Sequence, residues 1–231
     1  MKILILQTCD GKYYKPMLDV TQPIHEDYCK RHGYTYCRWD GIKHGPQDIP
    51  TFAVFNRIFL LKDICEGGEY DWVLYMDADC IITDKNRSVT EFLHNDFSIV
   101  ACRGADDLPS NTYDINSGVL FFNMKHPKTK SLIDEWMSIC MIKVTVSTDI
   151  SSFQSKFDML AIKGGHTSMT ADQEMLHDVL KKDSSLAYIY KGKDHNIFNY
   201  EGKFIKQILR TGKNSVVERT EYLRKITETL I

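Results

Sequence analysis

The chain has 231 residues, 43% of them hydrophobic and 26% charged, with a formal net charge of −2. This is the profile of a soluble globular chain, long enough for one sizeable core and short for two full domains. A charge so near zero, with no block of Lys and Arg, argues against a nucleic-acid partner, and no apolar run is long enough to span a membrane. Seven cysteines scattered without C-x-x-C spacing predict reduced thiols in a cytoplasmic setting and give no zinc signature.

In chain order, Ile3 to Gln7 reads as a first strand rather than a signal sequence, because its apolar stretch is short and runs into Cys9, Asp10, Gly11 and Lys12. Pro16 to Arg31 predicts a helix region broken at Pro23, closed by Gly33 before a second strand at Tyr34 to Arg38. Gly and Pro make residues 41–50 a loop, and Phe55, Ile58, Phe59, Leu61 and Ile64 mark a helix from Thr51 to Cys65 that stops at Gly67-Gly68. An apolar strand, Trp72 to Met76, then ends in Asp77-Ala78-Asp79.

Beyond it, a short helix is predicted at Val89 to His94 and strands at Phe97 to Cys102 and Gly118 to Asn123. Helices follow at Lys128 to Cys140, Ile150 to Ile162 and Ala171 to Lys182, then strands at Leu186 to Tyr190 and Phe204 to Leu209, and a polar amphipathic helix from Val216. The alternation predicts one α/β domain over residues 1–231, with a Rossmann-like, nucleotide-binding half over 1–104, an acceptor-side and catalytic half over 105–215 and a C-terminal helix over 216–231.

The chemistry concentrates at Asp77 and Asp79. Side chains alternate along a strand, so two acids one residue apart would face the same side and converge on one divalent cation. Carboxylates suit Mg2+ or Mn2+, which commonly hold phosphate oxygens. A bare D-x-D triplet is weak, since about two would arise by chance at this Asp content. Placement at the carboxyl end of an apolar strand, where open α/β sheets bind ligands, gives it weight. Two further segments join it. Asn116-Ser117-Gly118 precedes an apolar strand, with a glycine that permits close approach and an amide that both donates and accepts. Asp172-Gln173-Glu174 opens a helix, where acids are favourable.

In this order, the segments resemble the retaining GT-A glycosyltransferases, a fold with a mixed, mostly parallel central sheet flanked by helices. The likeness is to the glycogenin and lipopolysaccharide galactosyltransferase group, and to the group of yeast galactosyl- and mannosyltransferases and plant xyloglucan xylosyltransferases. It rests on Gln7-Thr8, Phe55-Asn56-Arg57-Ile58, Val73 to Asp79, Val100-Ala101-Cys102, Asn116 to Leu120 and Asp172 to Leu176.

The resemblance implies that Asp77 and Asp79 hold Mn2+ or Mg2+ against the diphosphate of a nucleotide-sugar, UDP-hexose above all, with Ala78 in the same donor-binding turn. Gln7, Thr8 and Cys9 would cradle the base and Arg57 would help bind the donor. Asn116 with Ser117 would face the donor sugar. Asp172 and Gln173 would lie beside the reacting carbon, where Gln173 would polarise an oxocarbenium-like centre and Asp172 would bind a hydroxyl or act as nucleophile. The acceptor would be a glycan or another hydroxyl.

One position departs from the pattern: the late His that supplies a third metal ligand in those families is missing. Gln207 stands near its place and offers a carbonyl oxygen, while Lys206, Arg210 or Lys213 would meet the diphosphate directly; His166 and His195 are alternatives. Tyr188, Tyr190, Phe198 and Tyr200 offer faces for an acceptor sugar, and Gly164-Gly165 suggests a loop that closes over the donor. A sugar nucleotidyltransferase, which should carry a Gly-rich basic loop after its first strand, and a non-catalytic nucleotide- or carbohydrate-binding module are the competing readings.

Overall fold

The computed structural model describes residues 1–45, 47, 50–104, 114–146, 172–191, 197–198, 202–210 and 215–230. Eight strands lie in these residues: β1 (Ile3–Cys9), β2 (Thr35–Asp40), β3 (Trp72–Met76), β4 (Cys80–Ile82), β5 (Ile99–Cys102), β6 (Asn116–Asn123), β7 (Ala187–Tyr190) and β8 (Ile205–Gln207). The helices are α1 (Lys15–His32), α2 (Asn56–Gly67), α3 (Thr129–Val146), α4 (Asp172–Lys182) and α5 (Val216–Leu230).

Six strands form one sheet in the order β2-β1-β3-β6-β5-β7, and β4 pairs with β8 in a two-stranded sheet beside it. Within the large sheet β1 runs parallel to β2 and β3, β5 runs parallel to β7, and β6 alone is antiparallel to both of its neighbours. The mixed, mostly parallel α/β architecture expected from the sequence is therefore present. Such a sheet is buried on both faces, and alternate residues divide between two cores. Leu4, Leu6, Val73, Tyr75, Leu120 and Phe122 pack toward α2, α3 and α4, and Ile3, Ile5, Trp72, Leu74 and Phe121 pack toward Tyr28 of α1 and the aromatic group Phe92, Phe198 and Phe204. A third cluster, Met17, Ile24, Ile81, Ile208 and Leu223, locks α5 onto α1 and the small sheet.

Two predicted elements change form. The first helix is unbroken: Pro23 lies inside α1 on its exposed side, and the carbonyl deprived of its partner belongs to Asp19, which is also exposed, so the lost bond falls on the solvent side. The second begins not as an α-helix at Thr51 but as a 3-10 turn, Pro50–Phe55, that leads into α2. Gly33 and Gly68 end α1 and α2 as left-handed caps at φ 70° and 63°, with N–H groups donating to Cys29 O and Ile64 O. The helix predicted over Ile150 to Ile162 and the Gly164-Gly165 loop lie outside the described residues, as do His166, Lys213, His195 and Tyr200. No described helix is long and apolar enough to cross a membrane.

A buried polar pair joins α1 to the sheet. The Gln7 Oε1 accepts from His25 Nδ1 at 2.7 Å and from Tyr36 Oη at 2.9 Å, and His25 Nε2 accepts from Ile82 N at 3.3 Å. That pattern needs a neutral imidazole, and burial pulls the His25 pKa from 6.5 down to about 3. The unfolded chain takes up this proton near pH 6.5 and the folded chain does not until far lower, so the stabilisation is complete above pH 6.5 and is lost as pH falls toward 3. Between pH 7 and pH 5 His25 should account for a loss of about 2 kcal/mol. Denaturant melts of His25→Gln should show a lower stability at pH 7 and a flatter decline toward pH 5 than the natural chain.

Candidate functional site

β3 stops at Met76, where its last rung pairs with Val119 of β6. The two acids therefore sit in a turn and not on the strand as the alternation argument has it. The Cys80 N–H donates to Asp77 O at 3.0 Å, closing a four-residue turn over Ala78 before β4 begins. The relative placement of Asp77 and Asp79 is thus set by the turn and not by strand alternation. Its backbone is fixed from below by Gln7 Nε2, which donates to Asp77 O at 3.0 Å and Cys80 O at 3.4 Å, and from the side by Gly118 O, which accepts from Asp77 N at 2.8 Å.

The acids differ in setting. Asp77 keeps a side-chain exposure of 31%, accepts from Tyr75 Oη at 2.9 Å and stands 3.6 Å from Arg57 Nη1. Asp79 is buried, with Oδ1 accepting from Gln207 Nε2 at 3.2 Å and Oδ2 from Arg219 Nη1 at 2.8 Å. Burial, and next the Asp77 charge, push the Asp79 carboxyl above the usual carboxylate range, against the pull of Arg219 and Gln207.

Gln207 arrives because β8 pairs with β4 in a register that sets it opposite Cys80. Its Oε1 accepts from Asn116 Nδ2 at 2.9 Å, and Asn116 Oδ1 in turn accepts from Gly118 N at 2.7 Å. Gly118 leaves the space that the Gln207 carboxamide fills: a Cβ at that position would meet it, and the carboxamide would have to shift.

Behind the turn lies a second charged pair. Arg57, at the start of α2, is buried with its Nε against Asp172 Oδ2, its Nη1 donating to Ser117 O and its guanidinium 4.8 Å from the Tyr75 ring centre. Burial raises the Asp172 pKa, while Arg57 holds it down. Ser117 N donates to Gln173 Oε1 at 3.0 Å, and Trp136 Nε1 donates to Asp172 O at 3.0 Å, so the start of α4 is pinned to β6 and α3.

The fold thus gathers Arg57, Asp77, Ala78, Asp79, Asn116, Ser117, Asp172, Gln173 and Gln207 at one end of the sheet. Gln7, Thr8 and Cys9 lie beneath. Gln7 is fully buried with its amide spent inside the protein, Thr8 Oγ1 is 3.4 Å from Tyr75 Oη, and the Cys9 thiol, pushed up to about 12 by burial, donates to Asp40 Oδ1 at 3.4 Å. Among the described residues no group of three or more His, Cys, Asp and Glu stands together as a metal site. The candidate oxygen donors are Asp77, Asp79 and the Gln207 carbonyl.

Arg219 is the site residue that sequence reasoning missed. It also donates from Nη1 to Ile208 O at 3.2 Å and from Nη2 to Tyr14 Oη at 3.1 Å. Its signal was its register: it lies four residues before Leu223 on the stripe that α5 buries, and an arginine on a buried stripe requires an acid.

No protein-family model matches the chain, and no curated protein matches it. Among solved structures, the chain aligns with a glycosyltransferase involved in the glycosylation of the major capsid of PBCV-1, with a TM-score of 0.63 at 16% identity over 97% of this chain and 100% of that one. It also aligns with the apo form of the glycosyltransferase GlyE of Streptococcus pneumoniae TIGR4, with a TM-score of 0.52 at 15% identity over 98% of this chain and 59% of that one. Likeness at such identities is a likeness of fold: this sheet, with these flanking helices, is an architecture found in glycosyltransferases.

The close fit at Gly118 gives a direct test of how the turn is held. Gly118→Ala should displace Gln207 from Asp79 and lower stability by about 1–3 kcal/mol in denaturant melts, with Gly118→Ser at least as costly.

Proposed function

We propose that this chain is a GT-A-type glycosyltransferase that moves a hexose from a nucleotide-sugar, UDP-hexose first among them, to a glycan or other hydroxyl acceptor, with retention of configuration and with Mn2+ or Mg2+ at the acidic turn. The observation that carries the reading is the meeting of Asp77, Asp79 and Gln207 at one turn, beside Arg57, Asp172 and Gln173, in a fold found in glycosyltransferases.

The donor set fits a hard divalent ion. Its members are two carboxylates, of which Asp77 is partly exposed, and the Gln207 carboxamide, which presents Nε2 to Asp79 and would turn its carbonyl oxygen toward a cation. When bound there, a divalent ion would neutralise the charge that builds on the leaving diphosphate as the sugar bond breaks. The chain's own residues do the positioning. Tyr75 and Arg57 hold Asp77, and Gln207 and Arg219 hold Asp79.

Ser117 N–H fixes the Gln173 amide oxygen, giving the carboxamide one orientation beside Asp172. Because Asp172 is buried and committed to Arg57, it suits the part of holding Arg57 against the donor side better than that of a free nucleophile. Asn116 spends its Oδ1 on the Gly118 N–H and one Nδ2 hydrogen on Gln207, which sets the edge that would face the donor sugar.

The loop after β1 speaks against the nucleotidyltransferase reading. The Asp10 carboxylate itself accepts from the N–H groups of Lys12, Tyr13 and Tyr14 at 3.1, 3.1 and 2.9 Å, occupying the donors that a phosphate-binding loop would present.

Release of UDP from a panel of UDP-sugars, measured with Mn2+ and hydroxyl acceptors, tests the proposal. Asp77→Asn and Asp79→Asn should each lower the rate by about 100-fold or more, and EDTA should abolish it. Full activity in EDTA would contradict the metal reading, and tight UDP-sugar binding without any turnover would make the chain a binding module.

A further inference from the structure

Arg219 has a place in this site that the transfer reaction does not itself require. It stands on α5, is 2% exposed, and reaches three separate parts of the chain: Asp79 in the acidic turn, the Ile208 carbonyl just past β8, and the Tyr14 hydroxyl at the start of α1. The Tyr14 ring also lies 5.3 Å from the guanidinium carbon. A guanidinium leaves water at a large cost and stays buried only where a carboxylate meets it. Asp79 is that carboxylate, so the second acid of the turn carries its own permanent counter-charge.

The neighbourhood then has a definite charge balance. Asp77, Asp79 and Asp172 are three carboxylates, and Arg57 and Arg219 are two guanidiniums among them. One negative charge is left uncompensated in a place where, without Arg219, there would be two. A divalent ion is drawn to a site mainly by ligand charge, and a fixed cation hydrogen-bonded to one of its carboxylates repels it. A nucleoside diphosphate would bring back the missing negative charge.

We propose that Arg219 is a positioning residue and built-in counter-cation that keeps the acidic turn from retaining a divalent ion by itself, so that the ion is held only together with a nucleoside diphosphate. This rests on the reading of the turn as a cation site. It assigns α5 a part in the order of binding: free ion is held weakly, and the ion–nucleotide pair strongly.

Calorimetric titration of Mn2+ into the full chain, alone and then with UDP present, is the test, with thermal melts to confirm folding. In the natural chain Mn2+ should bind at least about tenfold more weakly alone than with UDP. Arg219→Gln should bind free Mn2+ about tenfold more tightly than the natural chain, and Arg219→Lys, which keeps the charge, should stay within about threefold of it. A merely structural arginine would give the opposite sign, because loosening Asp79 weakens binding.

Unchanged or weaker binding of free Mn2+ by a folded Arg219→Gln overturns the proposal. If Arg219→Gln does not fold, the lysine variant decides, since a tenfold change there overturns it as well. Tight binding of free Mn2+ by the natural chain also contradicts it. Absence of Mn2+ binding to the natural chain both with and without UDP removes the cation site itself, a separate failure that takes the proposal with it.

Discussion

A carboxylate taken out of water needs a partner for each of its oxygens, and Asp79 has one on each side. Gln207 comes from β8 and Arg219 from α5, both more than a hundred residues further along the chain. To satisfy Asp79, the chain must bring β8 against β4 and α5 against α1, so the late segments close over the first half of the fold. The small sheet and the C-terminal helix are best understood as the supports of one buried acid. Removing either partner alone would leave charge or amide less well compensated in the interior.

The large sheet serves the same turn from the other direction. Gln7 reaches up from β1 to two carbonyls of the turn, and it can do so only because His25 and Tyr36 hold its other end. Gly118 brings β6 close enough to accept from the Asp77 N–H while leaving room for Gln207. Arg57 then ties α2 to β6 and α4 through Ser117 and Asp172. Asp77, Asp79, Asp172, Gln173 and Gln207 are each held by a residue of another element, a condition for fixing charges in place.

Much of this was legible in the sequence. The order and type of elements follow from short apolar runs set between glycines, and Asp77, Asp79, Arg57, Asn116, Asp172 and Gln173 stand out through their order along the chain. Gln207 could be named from the place of a missing histidine. Other features could not be read. An apolar run shows that a strand ends but not on which residue its ladder stops, so the acids were set on a strand and lie in a turn. A proline such as Pro23 marks a break in sequence terms, and its tolerance here depends on its place on the solvent side of α1, which only packing decides. His25 carries no signal in the sequence because its partners, Gln7 and Ile82, are distant along the chain. Arg219 takes its partner from the far half of the chain, although its register places it on the buried stripe of α5.

A joint seat for a divalent ion and a donor diphosphate at the turn of Asp77 and Asp79 is what we propose. Anomalous diffraction at the manganese absorption edge, from crystals of the protein grown with Mn2+ and UDP, tests it most directly. A single strong peak is expected at the turn, ligated by both carboxylates and by Gln207 with its carbonyl oxygen turned inward, and touching the diphosphate. A map with UDP bound at the turn and no manganese peak beside it, or with the peak elsewhere, would contradict it.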